Sequence, residues 1–233
     1  MKLQSLREEV LKANLDLVRH GLVIDTFGNA SGISREDGLV VIKPSGVAYD
    51  RMRPADLVVT DLQGRIVEGT LRPSSDLPTH LALYRAFDKI GGVAHTHSRS
   101  ATAWAQAGRA IPCLGTTHAD YFHGPIPVTG ALRPAEIKND YELNTGHAIV
   151  RALAGQDPLA MPAVLVAGHA PFCWGSSAVN AAHIAWLLEE VAHMAYASLV
   201  INSNASPLAD ELRDKHFQRK HGPAASYGQK AGR

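Results

Sequence analysis

The sequence predicts a single α/β domain, residues 1–233, with a central mixed or antiparallel β-sheet flanked by helices. Three observations carry this. Short apolar runs come in pairs around glycine-bearing turns. Longer stretches repeat their apolar residues at helical spacing. No internal repeat or low-complexity linker divides the chain, and with 45% hydrophobic residues it can bury a sizeable core without staples. Its two cysteines, Cys113 and Cys173, lie far apart in apolar segments and read as reduced, buried thiols.

Leu3, Leu6, Val10, Leu11, Asn14, Leu17 and Val18 recur at helical spacing, and Gly21 follows as a C-cap, so the chain opens with an amphipathic helix. Two hairpins come next. Residues 30–34 and 39–43 flank the turn Arg35-Glu36-Asp37-Gly38, and residues 57–60 and 66–67 flank Asp61-Leu62-Gln63-Gly64. Apolar residues at 77, 81, 84 and 87 predict a helix over 78–87 that packs on this sheet. The run Gly91-Gly92-Val93-Ala94 reads as a short buried strand closing on His95-Thr96-His97. Ser98 can N-cap a helix through Ala107, and Pro112, Pro125 and Pro127 break the next forty residues into turns and short strands. A helix over 141–153 precedes a strand over 163–169. A long alanine-rich helix over 177–201, a final helix over 207–220 and a glycine-rich tail, 222–233, complete the chain.

Charge limits the partners. Lys plus Arg (23) nearly balances Asp plus Glu (22), so no broad field draws nucleic acid or an acidic membrane surface, and an anionic substrate must be held by a local site. The N-terminus carries charges throughout, and no segment reads as the ~20 apolar residues that span a bilayer. A soluble cytoplasmic protein is expected.

The residues that carry chemistry cluster at element ends. In a strand, residues i and i+2 share a face, so His95 and His97 can converge on one ion. His169 closes a second apolar run, and Asp76 sits in Pro73-Ser74-Ser75-Asp76-Leu77-Pro78-Thr79-His80. Three neutral imidazoles and an anionic oxygen suit Zn²⁺, Co²⁺ or Mn²⁺. The competing reading of each histidine is a core residue with satisfied hydrogen bonds. Gly28-Asn29-Ala30-Ser31-Gly32, Lys43-Pro44-Ser45-Gly46 and Ser74-Ser75 are small or hydroxyl-rich stretches that can approach a phosphate and offer it donors. Asp120, in Thr116-Thr117-His118-Ala119-Asp120-Tyr121, is either a general acid or base or a capping aspartate. Tyr227 is a lone aromatic in a small, polar tail, and nothing in the surrounding residues selects it.

These stretches, together with His95-Thr96-His97-Ser98, Glu189-Glu190-Val191-Ala192, Lys215-His216 and Tyr227-Gly228-Gln229, resemble the L-ribulose-5-phosphate 4-epimerase family of the class II aldolase/epimerase superfamily, nearly end to end. The resemblance implies a class II aldolase-like fold and a metal-dependent enzyme interconverting L-ribulose 5-phosphate and D-xylulose 5-phosphate. It implies that Asp76, His95, His97 and His169 hold zinc or another divalent ion. Gly28, Asn29, Ser45, Gly46, Ser74 and Ser75 would hold the phosphorylated ketopentose, and Asp120 and Tyr227 would be the acid/base pair. It also implies a cyclic homotetramer with sites between subunits, the C-terminal tail 222–233 reaching a neighbour's site, and a place in carbohydrate metabolism such as arabinose breakdown.

The chemistry is consistent with that residue set. The C4 hydrogen is not adjacent to the C2 carbonyl, so simple deprotonation leaves a carbanion with no resonance sink. Breaking and re-forming the C3–C4 bond beside a Lewis-acidic ion avoids this, and requires two proton carriers on opposite faces. Cleavage without re-addition would be an aldolase reaction of the fuculose-1-phosphate type. In that branch Glu is typical at the position of Asp76, so aspartate favours the epimerase. A non-catalytic scaffold of the same fold is disfavoured by the complete ligand and acid/base set.

Overall fold

The computed structural model of the protein describes residues 2–222 and Ala225. Seven strands form one sheet. Its order is β4 (Ile66–Glu68), β3 (Val58–Asp61), β2 (Leu39–Ile42), β1 (Asn29–Ser34), β5 (Gly92–His95), β7 (Pro171–Gly175) and β6 (Ala163–Leu165). Each adjacent pair is antiparallel, which settles the mixed or antiparallel expectation. The helices among the described residues are α1 (Gln4–Arg19), α2 (Leu77–Ala86), α3 (Arg99–Gln106), α4 (Thr116–Ala119), α5 (Pro134–Lys138), α6 (Tyr141–Ala152), α7 (Ala178–Ile201) and α8 (Asp210–His221).

Alternation along β1 distributes the helices over the two faces. Ala30 and Gly32 face α1 and α7: Asn14 of α1 bonds the Ala30 backbone in both directions, and Gly32 lies against Leu6, Val10 and Ala178. Asn29 and Ser31 face α2, where they meet Asp76, His80 and Tyr84. The seat for α7 is cut by glycine. Gly32, Gly92 and Gly175 are register neighbours across β1, β5 and β7, and a Cβ on Gly92 would lie 2.4 Å from the Ala178 Cα. Without side chains there, the first turn of α7 rests directly on the sheet.

Carboxylates join the helices end to side. Glu9 of α1 accepts from the Ala178 N–H at 2.7 Å, and Ser177 accepts from Asn180, so the N-terminus of α7 is doubly satisfied. Ser98 occupies the N-cap position of α3, as expected, but its side chain makes no cap bond. Glu189 of α7 does that instead, accepting from Ser100 and Ala101 at 2.7 and 2.9 Å. At the other end of α1 the chain leaves through a Schellman pair, Gly21 N–H to Val18 O and Leu22 N–H to Leu17 O.

Several expectations need correction. The strand expected to reach His169 ends at Leu165, and the chain then reverses through a turn closed by Val166 N–H to Ala170 O. The strand after it, β7, was not anticipated. It is flanked by β5 and β6 and buried along its whole length, so it shows no apolar–polar alternation, and Pro171 is tolerated as its first residue. β5 stops at His95, leaving His97 beyond the strand. The short helix α5 was also unforeseen, and α8 begins at Asp210, not near Pro207. Finally, α7 is long and apolar enough by length and composition to cross a membrane, contrary to the sequence reading; its inner face is buried on the sheet and on α1.

Candidate active site

Two backbone segments build the floor of a cleft of about 430 Å³. Ser45 N–H donates to Arg72 O and Ser74 N–H to Lys43 O, both at 2.9 Å, with Pro44 bridged to Pro73. This pairing sets Ser45 and Gly46 beside Ser74 and Ser75, immediately before the N-terminus of α2, whose positive dipole end favours an anion. Gly28 completes the wall at φ +104°. A Cβ there would meet the His95 carbonyl oxygen at 3.1 Å, so the approach of this loop to β5 depends on glycine.

Opposite stands a histidine triad. Ring centroids lie 4.9 Å apart for His95–His97 and 5.0 Å for both His95–His169 and His97–His169. One ring nitrogen from each falls within 4.8 Å of those of the other two. His95 is placed by the sheet. It is in register with Asn29 on β1 and Phe172 on β7, stacks on the Phe172 ring at 4.1 Å, and its Nδ1 donates to Pro171 O at 2.9 Å. That bond leaves Nε2 with its lone pair available to an ion. His169 sits in the β6–β7 turn, with its Nδ1 3.2 Å from the Tyr141 hydroxyl. Asp76, just before α2, accepts from the Asn29 amide at 2.7 Å.

The electrostatics suit a cation. Burial, then the neighbouring His95 and His97, pushes His169 down to about 4, and burial with His95 also lowers His97, so both present neutral rings at neutral pH. Burial alone would raise Asp76. Its histidine neighbours, His95 and His80 foremost, and the Asn29 amide outweigh it and hold the carboxyl below the usual range. Three imidazoles beside a carboxylate form a donor set that fits a divalent ion. Lys43 is buried with its Nζ 4.7 Å from the Tyr49 ring centroid, and burial lowers its pKa.

One cleft therefore gathers Gly28, Asn29, Ser45, Gly46, Ser74, Ser75, Asp76, His95, His97 and His169. Asp120 is not among its lining residues. It follows α4, and its carboxylate accepts from His216 at 3.0 Å and from Arg219 at 3.1 and 2.9 Å, all on α8. Tyr227 lies outside the described residues. The sequence reading missed Tyr141 and Glu142, which reach the same cleft from the start of α6.

An antiparallel sheet that brings a histidine triad and an N-terminal helix cradle to one cleft is the architecture of a class II aldolase, and comparison with known proteins agrees. Residues 8–196 match the Class II Aldolase and Adducin N-terminal domain, and the chain belongs to this family. Among individual proteins, it is 57% identical to the L-ribulose-5-phosphate 4-epimerase UlaF of Salmonella paratyphi A, over 98% of this chain and all of that one, and equally to its counterpart in Salmonella typhi. Among solved structures, an L-fuculose 1-phosphate aldolase superposes with a TM-score of 0.79 at 26% identity, covering 92% of this chain and 95% of that one. The L-fuculose-1-phosphate aldolase of Thermus thermophilus, at 24% identity and a TM-score of 0.68, covers 86% of this chain and 99% of its own, and shares the fold.

Proposed function

We propose that this chain is a cytoplasmic, metal-dependent L-ribulose-5-phosphate 4-epimerase, interconverting L-ribulose 5-phosphate and D-xylulose 5-phosphate by breaking and re-forming the C3–C4 bond. The observation that carries the reading is the shared cleft. Residues suited to hold a cation and a hydroxyl-rich stretch suited to an anion line it together, in a chain 57% identical to relatives with that name.

His95, His97, His169 and Asp76 would hold a divalent ion, with Zn²⁺ the best match to an imidazole-rich set. When bound, the ion supplies Lewis-acid stabilisation of the charge that develops on the ketose oxygens. The hydroxyls of Ser45, Ser74 and Ser75 and the N–H groups of Gly46 and Ser75 would bind the phosphate, assisted by Gly28, Asn29 and the buried charge of Lys43. This anchor holds the glycolaldehyde phosphate fragment while its carbonyl turns over.

Two proton carriers complete the site, one for each face of C4. Asp120 enters as the carboxylate, because Arg219 and His216 outweigh the burial that would raise its pKa. Since Asp120 does not line the cleft of its own chain, it serves a neighbour, and Tyr227 on the tail beyond α8 is the second carrier. The active assembly would be the homotetramer with intersubunit sites that the family resemblance implies.

Incubating the purified protein with Zn²⁺ or Mn²⁺ and L-ribulose 5-phosphate tests this reading. D-xylulose 5-phosphate should form without accumulation of dihydroxyacetone and glycolaldehyde phosphate. Accumulated fragments would mark a fuculose-1-phosphate type aldolase instead.

A further inference from the structure

Behind the cleft, β1 and α2 are joined by polar contacts in sequence order. Asn29 and Ser31, two apart on one face of β1, meet Asp76 at the N-cap of α2 and His80 and Tyr84 on it, each four residues from the last. The Asn29 amide donates to Asp76 at 2.7 Å, while Ser31 Oγ lies 2.7 Å from His80 Nδ1 and 2.8 Å from the Tyr84 hydroxyl. Among the described residues, two atoms of this ladder are buried without a partner: Asn29 Oδ1 and His80 Nε2. His80 is fully buried, and Asp76 and His95 are the ionisable groups that act on it. A buried polar atom left unpaired is destabilising, so each of these two requires a partner.

The tautomer can be read from the relay. A phenol is a stronger donor than an aliphatic hydroxyl, so Tyr84 donates to Ser31 and Ser31 donates to His80 Nδ1. The ring proton then resides on Nε2, so the buried atom without a partner is an N–H that requires an acceptor, and Asp76 is the anionic group acting on this ring. We propose that His80 is a positioning residue: its Nε2–H, fixed by the Tyr84–Ser31 relay, holds the Asp76 carboxylate through one buried water shared with Asn29 Oδ1, and so presents that carboxylate to the cation. The inference rests on the assignment of Asp76 to the cation site made above.

Zn²⁺ affinity of two substitutions, measured by chelator competition on the full chain, tests it. Glutamine places its amide near the position of Nε2 and asparagine near that of Nδ1. His80→Gln should retain an affinity close to that of the parent, while His80→Asn should weaken it about tenfold to a hundredfold. Equal loss in both, or loss in neither, overturns the proposal. Should His80→Asn fail to fold, ¹⁵N NMR of the histidine-labelled, metal-free parent decides: a proton on Nε2 is expected, and one on Nδ1 overturns the relay. If the parent itself takes up no Zn²⁺, the cation-site assignment falls, and the NMR tautomer still reports separately on His80.

Discussion

His95 sits where the sheet turns into the site: paired with β1 and β7, stacked on Phe172, and with one ring nitrogen bonded to Pro171 so that the other faces the cleft. His97 lies just past the strand and does not fill the core, so His97→Asn should abolish stoichiometric Zn²⁺ binding and turnover while the far-UV CD spectrum and thermal midpoint stay close to the parent's. An elemental analysis still showing one ion per variant subunit would refute its role as a ligand. Ser75→Ala removes a hydroxyl from the cradle, and the KM for L-ribulose 5-phosphate should rise by about fivefold to a hundredfold with kcat little changed. An unaltered KM would place the phosphate elsewhere. The two-residue spacing of His95 and His97, and the small residues around Ser45 and Ser74, made this half of the site legible in the sequence. Tyr141 and Glu142 were not, because they arrive from the start of another helix, entered through Asp140 in a left-handed conformation, and nothing local marks that approach.

At the scale of elements, side chains that reach across the fold decide where helices begin. Glu189 lies 88 and 89 residues from the two N–H groups of α3 that it caps. Glu189→Ala should therefore lower unfolding free energy by about 1–2 kcal/mol, seen as a reduced urea midpoint with an unchanged m-value. A midpoint equal to the parent's would show that water replaces the cap without loss. Most helices were legible from periodicity and caps, since both signals are local. β7 was not: a strand covered on both sides and both faces has no alternation to read, and the hairpin turn before it hides inside one apolar run.

For the molecule as a whole, acid should be destabilising before any carboxylate titrates. Burial pushes His80 to about 3 and His118 to about 4, against ~6.5 in an unfolded chain. Below pH ~6.5 the unfolded state takes up protons that the folded state refuses. Stability is thus full above that pH and declines as pH falls toward 4 and 3. In chelator, urea denaturation at pH 5 should show about 2 kcal/mol less stability per such histidine than at pH 7.5, whereas equal values would mean that these rings are protonated in place. Assembly is tested by mixing. If Asp120 serves a neighbour's cleft, inactive His97→Asn and Asp120→Asn chains should regain activity once their subunits exchange, because some sites then pair an intact triad with an intact Asp120. Hybrids verified by native mass spectrometry yet inactive would place both residues in one subunit's site.

In the proposed reaction C4 is inverted by breaking a carbon–carbon bond and not by removing its hydrogen. Converting L-ribulose 5-phosphate in D₂O with the Zn²⁺-loaded protein, and reading C4 of the product by NMR, tests it most directly. Carbon–carbon cleavage leaves protium at C4 of the D-xylulose 5-phosphate; deuterium incorporated there with turnover, or no D-xylulose 5-phosphate at all, would rule it out.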